Sequence, residues 1–258
     1  MKTILKLTTI QAPLAWEDID TNLAYFSKKI ESLANQTHLI VLPEMFTTGF
    51  SMNAKTLAET MDGKTMQWLS QTATQTKIAI CGSFIAKEKD CFYNRFVFMK
   101  PDGTYSIYDK RHLFTLAKED KIYTAGTARI IIKYRGWKIC PQICYDLRFP
   151  VWSRNIEQYD LLIYVANFPA KRAHAWRSLL VARAIENQCF VAGVNRIGKD
   201  GQQIEYSGDS LVLDFNGMPL FDAQSQESVQ TTRLDYLRKA NFRDRFQFLE
   251  DRDSFKIK

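Results

Sequence analysis

Histidine is scarce in this chain. There are three in 258 residues, at positions 38, 112 and 174. Scattered in this way they lack the spacing of metal ligands, so a zinc site is not expected. The five cysteines (81, 91, 140, 144, 189) are an odd number and contain no Cys-x-x-Cys pair. That argues against a disulfide framework and for free thiols in a reducing compartment. No apolar run approaches the roughly 20 residues that a membrane-spanning helix needs. The first ten residues alternate polar and apolar side chains around Lys6. They read as a strand over residues 2–10 and not as a signal peptide. Repeats, low-complexity tracts and linkers are missing too. The expectation is one domain over residues 1–258, in the cytoplasm.

What is present is enough apolar material for a sizeable core, 46% of the chain. The net charge of +7 invites a nucleic-acid partner. The basic residues, however, are interleaved with acids, as over residues 233–245, and no RNA-binding or helix-turn-helix signature accompanies them. Neither nucleic acid nor membrane is expected as a partner.

Along the chain, apolar positions 19, 23, 26, 30 and 33 step by four, three, four and three, which predicts a helix from about Asp18. Helices are also expected over 64–76, briefly near Val151, and over 174–187. Strands are expected over 38–42, 78–85, 92–100, 104–108, 129–134, 137–143, 161–166, 190–197, 209–215 and about 226–234. Turns at 101–103, 199–201 and 216–217 separate several of them. The last stretch, from Tyr236, is Phe-rich and charged, too apolar to float free, and is expected to pack on a partner subunit. Two runs of strands with helices between them imply an α/β fold, a four-layer α-β-β-α sandwich.

Three polar residues share one kind of address. Glu44 follows the strand at 38–42, Lys110 the strand at 104–108, and Cys144 the strand at 137–143. If these strands are neighbours running the same way in one sheet, the side chains meet at one rim, where open α/β sheets bind ligands. Taken singly, each residue also has a plain reading: a solvated glutamate, a solvated lysine, a small buried cysteine. Together they make an amide-cleaving set. The thiol needs a base, and Glu44 can take its proton. A nearby ammonium favours the thiolate and can then face a developing oxyanion. His112 is expected to orient its loop. A papain-like Cys–His pair using His112 or His174 has no matching signature around Cys144.

Here a resemblance becomes specific. Leu-Pro-Glu at 42–44 with Thr-Gly-Phe at 48–50, Asp-Lys-Arg-His-Leu-Phe at 109–114 and Ile-Cys-Tyr-Asp-Leu-Arg-Phe-Pro at 143–150 stand in the order of the carbon–nitrogen hydrolase (nitrilase) superfamily. Val-Ala-Asn-Phe-Pro at 165–169 and Ala-Arg-Ala-Ile-Glu-Asn-Gln at 182–188 match its pattern as well. The finer resemblance is to the omega-amidase branch, which shares the 109–114 block, Tyr-Ser-Gly-Asp-Ser at 206–210 and the Phe-rich tail. Phe168 stands where that branch often has Trp. The resemblance implies the nitrilase-type sandwich, with Cys144 as nucleophile, Glu44 as base, and Lys110 with the Tyr145 backbone N–H around the oxyanion. Glu119 looks like the family's second glutamate, positioning Lys110 or the incoming water. The implied substrate is a small molecule, the terminal amide of a short 2-oxo acid such as 2-oxoglutaramate. Its carboxylate suits an arginine clamp. Arg148 is the candidate, although it could equally brace the turn through Asp146. Asn167 and Phe168 are expected to line the pocket. No metal or organic cofactor is implied, and a homodimer or larger homo-oligomer is.

Overall fold

The computed structural model describes residues 3–255. Lys2, at the start of the first expected strand, and residues 256–258 of the expected tail lie outside them.

The first sheet contains β1 (Ile4–Gln11), β2 (Leu39–Val41), β3 (Ala79–Glu88), β4 (Cys91–Met99) and β5 (Tyr105–Asp109), with β14 (Ser228–Asp235) returning to its edge. Its order is β14-β1-β2-β3-β4-β5, with β1, β2 and β3 parallel and the other pairings antiparallel. The second sheet contains β6 (Ile132–Tyr134), β7 (Trp137–Ile143), β8 (Leu161–Ala166), β9 (Phe190–Asn195), β12 (Leu211–Leu213) and β13 (Pro219–Asp222). Its order is β13-β12-β9-β8-β7-β6, and β7, β8 and β9 are parallel. A small hairpin, β10 (Ile197–Lys199) with β11 (Glu205–Ser207), stands apart from both.

The two-residue period of a strand explains why these segments read as continuous apolar runs. Leu39 and Val41 pack between the sheets with Ile139, Ile143, Leu161, Ile163 and Val165. Their neighbours Ile40 and Leu42 face outward onto α1 (Ile19–Glu31) and α3 (Lys64–Thr76), against Phe26, Ile30 and Leu69. Between these helices lies the single turn α2 (Ala54–Leu57). On the other side, Leu162 and Tyr164 face α5 (Ala173–Asn187) and its Trp176, Leu180 and Ala184. The result is the four-layer α-β-β-α sandwich. Ile163→Ala, in the layer between the sheets, would cost about 2–5 kcal/mol through the cavity it leaves.

α1 starts where its stripe predicts, with the Asp18 carboxylate accepting from the Thr21 N–H at 3.0 Å as N-cap. The short α4 (Pro150–Ser153) opens on a proline that cannot sit deeper in a helix. Among the described residues, no helix is long and apolar enough to cross a membrane.

The segment from Tyr236 begins as a helix, α6 (Tyr236–Arg245), one side of which packs on its own subunit. Phe242 meets Phe215 with ring centres 4.8 Å apart, and Arg243 donates to the carbonyls of Gln188 and Tyr159. Leu237 and, beyond the helix, Phe248 and Phe255 remain exposed. One expectation needs correcting: the strands before Glu44, Lys110 and Cys144 do not share a sheet. β2 and β5 lie in the first sheet, running the same way with two strands between them, whereas β7 lies in the second. Sequence order cannot reveal this, because a strand end looks the same in either layer.

Candidate active site

The two sheets still deliver their strand ends to one rim. Past Pro43 the backbone stays against β3: the Leu42 N–H bonds the Cys81 carbonyl at 2.7 Å and the Phe46 N–H the Ser83 carbonyl at 3.0 Å. Met45 sits between them with φ 44°, a left-handed conformation that turns the preceding Glu44 inward. Lys110 leaves β5 in a turn closed by the Gly126 N–H on the Lys110 carbonyl, 2.9 Å. A side chain at Gly126 would bring its Cβ within 2.1 Å of the Asp109 carbonyl oxygen, so glycine is required there. Glu119 follows Lys118, at φ 58°.

From the opposite sheet, Cys144 ends β7 with φ 43°. A β-region strand runs directly into a strained cysteine and then a 3-10 turn, Cys144–Arg148. Asp146 holds this elbow. Its carboxylate takes the Ile143 N–H (3.0 Å), the Tyr108 hydroxyl (2.7 Å) and the His112 N–H (2.9 Å), with the His112 ring Nδ1 at 2.8 Å. His112 also stacks on Phe149 with ring centres 3.7 Å apart. The histidine thus ties its own loop to the elbow. Arg148 does not brace it: Asp146 is committed to these partners, and the exposed Arg148 guanidinium lies 5.6 Å from the Phe168 ring.

Glu44, Lys110 and Glu119 are all fully buried. Lys110 Nζ reaches Glu44 Oε1 at 2.9 Å and Glu119 Oε1 and Oε2 at 3.0 and 2.9 Å. Glu119 has no acceptor position to spare: the Phe114 N–H fills Oε2 at 2.6 Å and Asn94 Nδ2 reaches Oε1 at 3.3 Å. Glu44 differs. Oε1 takes Lys110 and Asn94 Nδ2 (2.8 Å), while Oε2 takes the Asn167 N–H (2.7 Å), and the Cys144 thiol beside them lies 3.9 Å from the Asn167 carbonyl oxygen. Two carboxylates around one ammonium are tolerable in a dry site only because nearly every lone pair is met.

The electrostatics follow from burial. Desolvation works against the Lys110 ammonium, yet the Glu119 and Glu44 carboxylates outweigh it and hold its pKa above the ordinary lysine range. Burial pushes the Glu119 carboxyl up, and Glu44 adds to that against the pull of Lys110. Burial, then the Glu44 charge, hold the Cys144 thiol well above the usual range. Lys110 acts in the direction expected from the sequence but is outweighed.

The cavity over this cluster is small, about 130 Å³. Cys144, Lys110, Asn167 and Phe168 line it together with the Tyr145 and Arg148 side chains. Several lining residues escape sequence reasoning. Arg172 lies over Phe114 (5.0 Å) and Phe168 (5.8 Å). Asp200, Gln202, Ile204 and Tyr206 come from the β10–β11 hairpin. Asn195 clamps Phe168 by accepting its N–H (2.8 Å) and donating to its carbonyl (2.9 Å).

The model of the family "Carbon-nitrogen hydrolase" matches residues 6–242. The chain is 47% identical over 254 residues to "Omega-amidase YafV" of Yersinia enterocolitica, covering 97% of this chain and 98% of that one. It is 32% identical to "2-oxoglutaramate amidase" of Bacillus subtilis, covering 95% and 96%. Among solved structures it is similar to XC1258 from Xanthomonas campestris, a CN-hydrolase superfamily protein with an arsenic adduct in the active site. There the TM-score is 0.97 and the identity 44%, over 99% of each chain.

Proposed function

The chain belongs to the carbon–nitrogen hydrolase family and is an amidase, and on that premise we propose that it is a thiol-dependent omega-amidase. It hydrolyses the terminal amide of a small carboxylated substrate, preferably a 2-oxo acid amide such as 2-oxoglutaramate, and releases ammonia. The observation that carries this reading is the Cys144 thiol on its strained turn, beside a Glu44 whose Oε1 is filled by Asn94 and Lys110 and whose Oε2 takes only the Asn167 N–H. The names of the relatives support the substrate.

Deprotonation and attack go together. Glu44 takes the thiol proton as Sγ bonds to the amide carbon. The carbonyl oxygen gains the negative charge and faces Lys110 and the Tyr145 N–H. Lys110 has a donor for it: when its contact with Glu119 is one forked bond and its contact with Glu44 another, a third N–H remains. Glu44 returns the proton to the amide nitrogen, the C–N bond breaks, and ammonia leaves a thioester on Cys144. Water then attacks the thioester, giving one proton to Glu44, which passes it to the departing sulfur as the carboxylic acid is released. Glu119 acts by positioning Lys110, since its own acceptor positions are taken. Side chains carry every proton, so the scheme calls for no cofactor. Arg148 and Arg172, at the mouth, take the substrate carboxylate, with Asn167 and Phe168 as the adjoining wall.

The exposed Val151 and Ile185, on the helices after the nucleophile, support a homodimer or larger homo-oligomer. Five free cysteines support a reducing, cytoplasmic setting. The test is ammonia release from 2-oxoglutaramate against a panel of simple amides and carbamoyl compounds. The expected result is a kcat/KM for 2-oxoglutaramate above the whole panel; turnover confined to the panel rejects the substrate.

A further inference from the structure

Asn94 lies within β4, fully buried, between Tyr93 and Arg95. Its amide is oriented from behind. The Met45 N–H donates to Ser83 Oγ at 2.9 Å, and the Ser83 hydroxyl is 2.8 Å from Asn94 Oδ1. Oδ1 can only accept, so Ser83 donates to it, and the Nδ2 hydrogens must point the other way. There they meet Glu44 Oε1 at 2.8 Å and Glu119 Oε1 at 3.3 Å.

The two oxygens of Glu44 are thereby made unequal. A proton on Oε1 would take an acceptor position held by Asn94 Nδ2 or Lys110 Nζ, and would break the bond to one of these two buried donors. A proton on Oε2 leaves both bonds intact, and Oε2 is the oxygen held by the N–H of Asn167, whose carbonyl oxygen lies 3.9 Å from Cys144 Sγ. We infer that Asn94 is a positioning residue that, with Lys110, occupies Glu44 Oε1 and so leaves Oε2 as the one oxygen that exchanges a proton with Cys144. The inference rests on the thiol-amidase reading. It adds to it which atom is the base, and the Met45–Ser83–Asn94 relay that selects that atom.

Asn94→Asp is the discriminating variant. The titratable and charged groups facing its new carboxyl are Glu44, Glu119, Lys110 and, beyond them, Cys144 and Tyr123. At low pH the aspartic acid keeps its proton and can donate to Glu44 as the amide did. As the pH rises it ionises and becomes a third carboxylate around one ammonium. Expected is a kcat lower by about 10- to 100-fold near pH 8, with KM changed by less than about threefold, and a gap to wild type that narrows as the pH falls. Ser83→Ala, which frees the amide to turn over, should cost about tenfold in kcat with no such pH signature. The rate of Cys144 alkylation by iodoacetamide should show the same patterns without any amide substrate. It therefore tests Asn94 even if the wild type turns over none of the amides, which is the outcome that would sink the amidase reading itself. Should Asn94→Asp fail to fold, the alkylation rate of Ser83→Ala decides alone. The inference is overturned if Asn94→Asp keeps wild-type kcat and pH profile, if its loss is equal at every pH and tracks a lower Tm, or if Ser83→Ala alkylates at the wild-type rate.

Discussion

The two sheets contribute opposite halves to the rim where the chemistry is placed. The first supplies charge: Glu44, Lys110 and Glu119 are fully buried and bonded to one another, to Asn94 and to backbone N–H groups. The second supplies a sulfur on a strained backbone, open to the cavity, on a turn gripped by Asp146. The difference teaches where each half keeps its free energy. The charged half is stable only as a set, because removing one member leaves another charge buried and alone. The sulfur half spends stability to present one atom, and its strain is independent of the ion cluster.

Breaking the charged half should have the larger effect. Lys110→Met leaves two adjacent buried carboxylates without a cation. It should lower kcat by more than about 10³-fold and cost about 3–5 kcal/mol of stability in urea titrations. The pH dependence of that cost has a definite sign. Lys110 is held above the ordinary lysine range, so its contribution is complete below about pH 10.5 and is lost as the pH rises beyond it. The stability gap between wild type and Lys110→Met should therefore shrink as the pH rises beyond that value, and also in acid, where the stranded carboxylates of the variant take up protons.

Breaking the sulfur half should separate activity from stability. Cys144→Ala and Cys144→Gly should both be inactive, yet the glycine variant should be the more stable by about 1 kcal/mol, read as a higher Tm, because glycine accepts φ 43° without strain. A glycine variant less stable than the alanine one would mean that the elbow holds no strain. The smallest effect belongs to the mouth of the pocket. Arg148→Ala and Arg172→Ala should each raise KM for 2-oxoglutaramate by about tenfold, and change KM for an amide lacking a carboxylate very little. Equal effects on both substrates would remove the carboxylate from their role.

The contrast also marks what sequence alone can carry. Strands and helices buried on regular faces were legible, as in residues 64–76, 137–143 and 161–166, which match α3, β7 and β8. So were Glu44, Lys110 and Cys144, because each stands where an apolar run stops. The pairing of those runs into two facing sheets was not, since period-two burial says nothing about which layer a strand joins. Asn94 was missed because one polar residue inside a strand looks like an outward-facing position. Arg172 was missed because its role depends on Phe114 and Phe168, far from it in sequence. The β10–β11 hairpin has three-residue strands, too short for any period to show.

The most direct test of the central claim is to follow residual amidase activity against iodoacetamide labelling at each cysteine by peptide mass spectrometry. Cys81, Cys140 and Cys189 are buried and should stay unlabelled in the folded protein, while the exposed Cys91 serves as an internal reference. Activity is predicted to fall in step with carbamidomethylation of Cys144 and to be indifferent to labelling of Cys91. Full ammonia release from protein completely modified at Cys144 would contradict the account.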